Sequence, residues 1–186
     1  MALKKIVILF SGRGSNMQSI IEKLHGKSVE VAAAITNNPN AKGIEIARGL
    51  GVHVDILPHT EYASREEFDA ALVAKIREYS PEITVLAGFM RILSTVFTDS
   101  IKAINIHPSL LPLFKGKDGI QESFISGMDK GGVTVHFVTS EMDGGEIVLQ
   151  ESVPILSGDT LESFAQRVHA TEHELYPKAI LKVLAI

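Results

Sequence analysis

Three stretches of the sequence carry side chains set up for chemistry. In NIHPSLLP, Asn105–Pro112, an amide and an imidazole stand two residues apart at the end of an apolar run. Side chains alternate along a strand, so Asn105 and His107 share a face while Ile106 points the other way. Pro108 biases His107 toward an extended backbone. An amide donor beside a titratable ring suits a site where negative charge develops on oxygen and a proton moves. The stretch has no carboxylate to orient the ring, and Asp143 in EMDGGE, followed by two glycines that permit close backbone approach, is the candidate. Asn105, His107 and Asp143 include no Ser or Cys nucleophile, so the attacking group would belong to a substrate. A core histidine and a turn aspartate that never meet would give the same sequence, and spacing leaves both readings open.

The second stretch is FSGRGSNMQSII, Phe10–Ile21. Glycines between a strand and a helix let backbone N–H groups approach an anion at the helix N-terminus, which predicts phosphate binding by Gly14, Ser15 and Asn16. A dinucleotide site is disfavoured. Met17 occupies the third glycine position of G-x-G-x-x-G, and the second strand ends in Thr36-Asn37-Asn38 without a ribose-binding acid. The G-K-[ST] of a P-loop is also missing. A tight turn that needs small residues is the alternative. The third stretch, HATEH at His169–His173, matches H-x-x-E-H in form and sets two imidazoles one helical turn apart. Neither it nor its flanks offers a third ligand, so no metal is expected. A solvated helix face, or Glu172 aimed into a polar cleft, fits better.

Apolar runs alternating with amphipathic segments must position these groups, and that alternation marks βαβ units around a largely parallel sheet. Strands are expected at Lys5–Phe10, Glu30–Thr36, His53–Leu57, Glu82–Gly88 and Ala103–His107. Helices fill the gaps, most clearly Ser64–Tyr79, where Phe68, Leu72, Val73 and Ile76 recur on one face and Ser64 with Glu67 forms a capping-box pattern. VLAGFMRIL reads as a buried strand followed by a helix start. A short helix near Gln121–Ser126 precedes GVTVHFV and EIVLQESV, which read as paired strands around Gly144-Gly145. Asp159 is expected to cap a final helix reaching about Leu184, with Pro177 a kink point. In such a sheet the space beyond the carboxyl ends of the strands is where ligands bind.

The 186 residues fit one domain, with a net charge of −4, a pI near 6.0 and no cysteine. Disulfides and thiolate chemistry are excluded, and nothing in the charge suggests nucleic acid or an anionic membrane. The apolar run after Lys4-Lys5 is too short for a secretory signal, and no stretch approaches the ~20 residues that cross a bilayer. A cytoplasmic protein is expected, and monomer or homodimer both fit.

The motifs together resemble the glycinamide ribonucleotide formyltransferases. The likeness runs nearly end to end and rests on SGRGSN, SREEFD, LAGFMRIL, NIHPSLLP, GVTVHFV with MDGG, and TEHELYP. HPSLLP is shared by several formyltransferases, whereas the phosphate loop, TEHELYP and the compact length favour this branch. The resemblance implies a Rossmann-like formyltransferase fold in one domain over residues 1–186, with a mostly parallel sheet, helices on both faces and antiparallel strands in the C-terminal half. It implies a phosphate-binding half over about 1–100 and a catalytic and folate half over about 101–186. The implied reaction, a step of purine synthesis, moves the formyl group of 10-formyltetrahydrofolate, a co-substrate, to the amino group of glycinamide ribonucleotide. The amine attacks directly, Asn105 and protonated His107 stabilise the oxyanion, and Asp143 supports His107. Neither metal nor covalent intermediate is needed.

By the same resemblance the ribonucleotide sits on Gly14, Ser15 and Asn16 and on His169, Ala170, Thr171 and Glu172. Folate lies along Met90, Arg91, Ile92 and Leu93 and along Thr139, Ser140, Glu141, Met142 and Asp143, with Asn105 and Arg65 contributing. Two places depart from familiar relatives: Arg13 stands where Asn is usual, and Phe114–Phe124 lacks the histidines of some members. Methionyl-tRNA formyltransferases share only the catalytic half and carry a further nucleic-acid-binding domain. Formyltetrahydrofolate hydrolases carry a regulatory domain before the first strand. A phosphosugar-binding module without catalysis is the non-enzyme alternative, and loss of Asn105, His107 or Asp143 would mark it.

Overall fold

The computed structural model describes residues 2–186. Seven strands, β1 (Lys4–Phe10), β2 (Val29–Thr36), β3 (Val54–Ile56), β4 (Ile83–Leu86), β5 (Ala103–His107), β6 (Lys130–Phe137) and β7 (Ile147–Pro154), form one sheet in the order 3-2-1-4-5-6-7. The strands from β3 to β5 run parallel, while β6 and β7 are antiparallel to their neighbours. The order reverses between β1 and β4, which opens a crevice at their carboxyl ends.

Helices α1 (Ser15–Leu24), α2 (Gly43–Gly49), α3 (Arg65–Glu78), α4 (Thr95–Thr98), α5 (Gly119–Ile125) and α6 (Leu161–Leu184) cover both faces. Strand β1 shows why both faces are apolar. Ile6, Ile8 and Phe10 bury with Met17, Ile20, Ile44 and Tyr176 from α1, α2 and α6. Val7 and Leu9 pack the other way against Phe68, Leu72 and Phe97 from α3 and α4. A strand covered on both sides reads as a continuous apolar run, as β1 does.

Local chemistry explains the ends. Ser64 accepts from Glu67 N at the start of α3, but the Glu67 carboxylate reaches Ala63 N, one residue short of a closed capping box. The expected cap of α6 is corrected: Thr160, not Asp159, is the N-cap and forms the reciprocal box with Ser163. Asp159 instead pairs with Arg167 one further turn along and accepts from Leu156 N. Its carboxyl is held far below the usual range, chiefly by Arg167. The expected strand and helix at VLAGFMRIL also needs adjusting: β4 stops at Leu86, and residues 87–94 form a loop before α4.

Helix α6 runs through Pro177 uninterrupted. A proline inside a helix deprives the carbonyl four residues back of its donor, here that of His173. That oxygen is taken by Ser19 Oγ at 2.9 Å and Lys23 Nζ at 2.8 Å, both from α1. The break in one helix's ladder thereby docks the two helices together. No helix among the described residues is long and apolar enough to cross a membrane.

Candidate active site

A cleft of about 610 Å³ opens beyond the carboxyl ends of β4 and β5 and along the edge of β6. One wall is the loop after β4, with Met90, Arg91, Ile92 and Leu93; another is the loop after β6, Thr139 to Asp143; Asn105, His107 and His136 lie between them. Met90 and Ile92 are 78% and 60% exposed, an apolar surface suited to a flat ring. A smaller hollow of about 250 Å³ at the opposite ends of β4 and β5, bordered by Arg77, Glu82 and Lys102, contains none of the candidate residues.

Asn105 and His107 both border the cleft from β5, and Ile106 between them also contributes to its lining. His107 is buried, with Nδ1 3.5 Å from Asp143 Oδ2 and Nε2 2.8 Å from the Phe114 carbonyl oxygen. Both ring nitrogens therefore face acceptors. Phe114 has φ 53, and Gly119 lies so close that a Cβ there would stand 3.1 Å from His107 Nε2. Asp143, also at positive φ, turns its carboxylate inward, where Gly116 N donates to Oδ2 at 2.9 Å. Burial pushes this carboxyl up. The His136 ring, the Gly116 N–H and the charges of His107 and His136 outweigh it and hold the group below the usual range.

His136 is a member that sequence reasoning missed. It faces Asn105 across the β5–β6 ladder, with Nε2 3.5 Å from Asn105 Nδ2 and 3.6 Å from Asp143 Oδ1. Its Nδ1 is 2.9 Å from the Phe137 carbonyl, which assigns a proton there and leaves Nε2 facing Asn105 and Asp143. Alternation in GVTVHFV gives His136 a face, but only the register of β6 on β5 gives it a neighbour.

The second group of residues gathers at α1 and α6. Gly14 caps α1 at φ 76, and a Cβ there would meet Met17 Cε at 2.7 Å and Gly43 Cα at 3.2 Å. The Asn16 side-chain oxygen is buried without a partner. Glu172 is buried and bonds His169 Nδ1 at 2.7 Å, so the ring's pKa rises through that bond, against the effect of burial. Ala170 is exposed and Thr171 turns its hydroxyl to the Arg167 carbonyl. One turn beyond Glu172, buried Tyr176 donates to the Leu86 and Ile104 carbonyls, fixing α6 to the ends of β4 and β5 beside the cleft. Arg65 opens α3, pairs with Glu66 at 3.8 Å and lies outside the cleft lining. Among the described residues no three His, Cys, Asp or Glu side chains are grouped to hold a metal ion.

A doubly covered α/β sheet carries an amide, two imidazoles and a carboxylate in a cleft beside its switch point, a set suited to the charge and proton movements of a group transferase. Residues 4–180 match the formyl transferase family, and the chain belongs to it. It is 41% identical to the phosphoribosylglycinamide formyltransferase of Escherichia coli (strain K12) over 94% of this chain and 84% of that one. With the human trifunctional purine biosynthetic protein adenosine-3 it shares 39% over 95% of its own length, yet it spans only 18% of that larger chain. The crystal structure of phosphoribosylglycinamide formyltransferase from Campylobacter jejuni superposes with a TM-score of 0.96 at 46% identity, covering 99% of this chain and 100% of that one.

Proposed function

We propose that the protein transfers the formyl group of 10-formyltetrahydrofolate to the amino group of glycinamide ribonucleotide, a step of purine synthesis. The observation that carries this is the convergence of Asn105, His107, His136 and Asp143 at the mouth of a cleft with an apolar wall. Folate lies between Met90–Leu93 and Thr139–Asp143, and its formyl group meets the polar cluster. The ribonucleotide phosphate sits on the N–H groups of Gly14, Ser15 and Asn16, where the helix dipole favours it, with His169 to Glu172 on its other side. Each subsite thus draws on both the 1–100 and the 101–186 halves of the chain.

The substrate amine attacks the formyl carbon, and the carbonyl oxygen becomes an oxyanion. Asn105 Nδ2 supplies a direct donor to it. His107 supplies positive charge, since its Nε2–H is already given to the Phe114 carbonyl, and a direct bond to the oxyanion requires that carbonyl to swing aside. Asp143, held below the usual carboxylate range, is a weak base at rest and serves first to keep His107 charged and aimed. As the C–N bond to the folate N10 breaks, the proton lost by the amine travels to N10 through this cluster. No metal takes part, the substrates are small molecules, and neither nucleic acid nor membrane is a partner in the cytoplasm.

The test is formyl transfer by the purified protein, run beside a control lacking ribonucleotide and beside His107→Ala. Formylated ribonucleotide formed by the parent alone is the expected result. Free formate in the control would identify a hydrolase, and ribonucleotide binding without turnover would identify a binding module.

A further inference from the structure

The phosphate loop after β1 and the folate loop after β4 flank the switch point, and Ser11, assigned to neither ligand, touches both. Its N–H donates to the Gly88 carbonyl at 3.0 Å and its carbonyl accepts from Asn38 Nδ2 at 3.1 Å. The hydroxyl accepts from Met90 N at 2.8 Å and donates to Asn37 Oδ1 at 2.5 Å. Asn37 is itself buried, and it takes the one proton Ser11 can give, which leaves a lone pair aimed at Met90.

The folate loop needs such an anchor. Backbone bonds to the β1 side reach only as far as Ala87 and Gly88, and beyond them the loop holds Met90 and Ile92 out toward solvent. The far end of the loop has a separate anchor in fully buried Asp69, which accepts from Ser94 N at 2.6 Å and Ser94 Oγ at 2.7 Å. Ser94 is the N-cap of α4, yet its hydroxyl goes to Asp69 instead of to the helix. One end of the folate loop is thus tied to the phosphate loop, and the other to α3.

We propose that Ser11 is a positioning residue that couples the two subsites, so that an anion ordering residues 11–16 also fixes the Met90 backbone, and folate in its cleft favours the phosphate-ready loop in return. This rests on the ligand assignment proposed above. Coupling of this kind is reciprocal by linkage.

The experiment is calorimetric titration of the intact protein with tetrahydrofolate, which has no formyl group to lose, with and without saturating glycinamide ribonucleotide, alongside steady-state kinetics. In the parent the ribonucleotide is expected to tighten tetrahydrofolate binding about fivefold. Ser11→Ala, which leaves Met90 N and Asn37 Oδ1 without their partner, raises KM for both substrates about tenfold, keeps kcat within about threefold and brings the tightening below about twofold. Ser94→Ala loosens only the far anchor, removing the hydroxyl bond to Asp69 and keeping the backbone one, so it raises the folate KM and leaves the tightening at the parent's value. Should Ser11→Ala fail to fold, Asn37→Ala, which removes the group orienting the Ser11 proton, is expected to show the same loss of tightening. A parent without tightening, a Ser11→Ala protein (or its Asn37→Ala substitute) that retains it, or a Ser94→Ala protein that loses it as fully would each overturn the inference. A parent that binds no tetrahydrofolate and transfers no formyl group would overturn the functional reading first, whereas formyl transfer without tightening removes only this inference.

Discussion

In the proposed mechanism Asn105 and His107 do different work, and their substitutions should separate it. Asn105→Ala removes a direct donor to the oxyanion and His107→Ala removes the charge behind it, so each should lower kcat/KM by about 10²–10³-fold. Neither touches the loop at Gly14 to Asn16 or the Ser11–Met90 bond that ties it to the cleft, so ribonucleotide affinity measured by titration in the absence of folate should stay within about threefold. A comparable loss of ribonucleotide affinity would count against the oxyanion role. At the other subsite, Glu172→Gln should lower the His169 titration midpoint, followed by NMR, because the bond from Glu172 is the main cause of its elevation. The sign for stability follows. A histidine whose folded pKa lies above its ordinary value of about 6.5 stabilises the fold fully below that value and loses the contribution as pH rises through the folded one. The difference in stability between parent and Glu172→Gln should therefore narrow as pH is raised from the acid side of His169 titration to the basic side.

Among the elements, the α1–α6 contact makes a sharp claim about Pro177. The His173 carbonyl has no donor inside its own helix and relies on Ser19 and Lys23. Ser19→Ala should cost about 1 kcal/mol in the parent, measured by denaturant unfolding. In a Pro177→Ala background, where residue 177 supplies the intrahelical N–H, Ser19→Ala should cost measurably less, and additive losses would contradict this account. The elements also show what the sequence could and could not reveal. Strands β1 and β5 were legible because their apolar runs end at a glycine-rich loop and at a proline. The loop at residues 87–94 was not, because Met90 and Ile92 look like core residues and yet stand exposed on the wall of the cleft. Asp159 resembled a cap because Asp is a good one, yet its carboxylate is taken by Arg167, and Thr160 with Ser163 does the capping. Asn105 and His107 could be placed by alternation alone. Their partners could not: His136 depends on strand register, and the Phe114 carbonyl belongs to the backbone, which residue types do not advertise.

Across the whole molecule, the two halves of the chain are stitched together along the line where the site lies. Strand β4 pairs with β5, Tyr176 bridges the Leu86 and Ile104 carbonyls, Lys4 reaches the Leu184 carbonyl, and α1 is bonded to α6. Neither 1–100 nor 101–186 closes a sheet of its own with both faces covered, since the core around Ile6, Ile8 and Phe10 takes Tyr176 and Ile180 from α6. Unfolding should accordingly be a single cooperative transition, with far-UV and tyrosine near-UV circular dichroism giving coincident midpoints. Tyr176→Phe should keep that one transition and lower stability by about 1–2 kcal/mol, because two buried carbonyls lose their donor while the ring still fills its place. Separate midpoints in the parent would mean that the halves fold independently. Strand β5, which carries Asn105 and His107 to the cleft, would then be held by its own half alone, and the proposed sharing of both subsites between the halves would be lost.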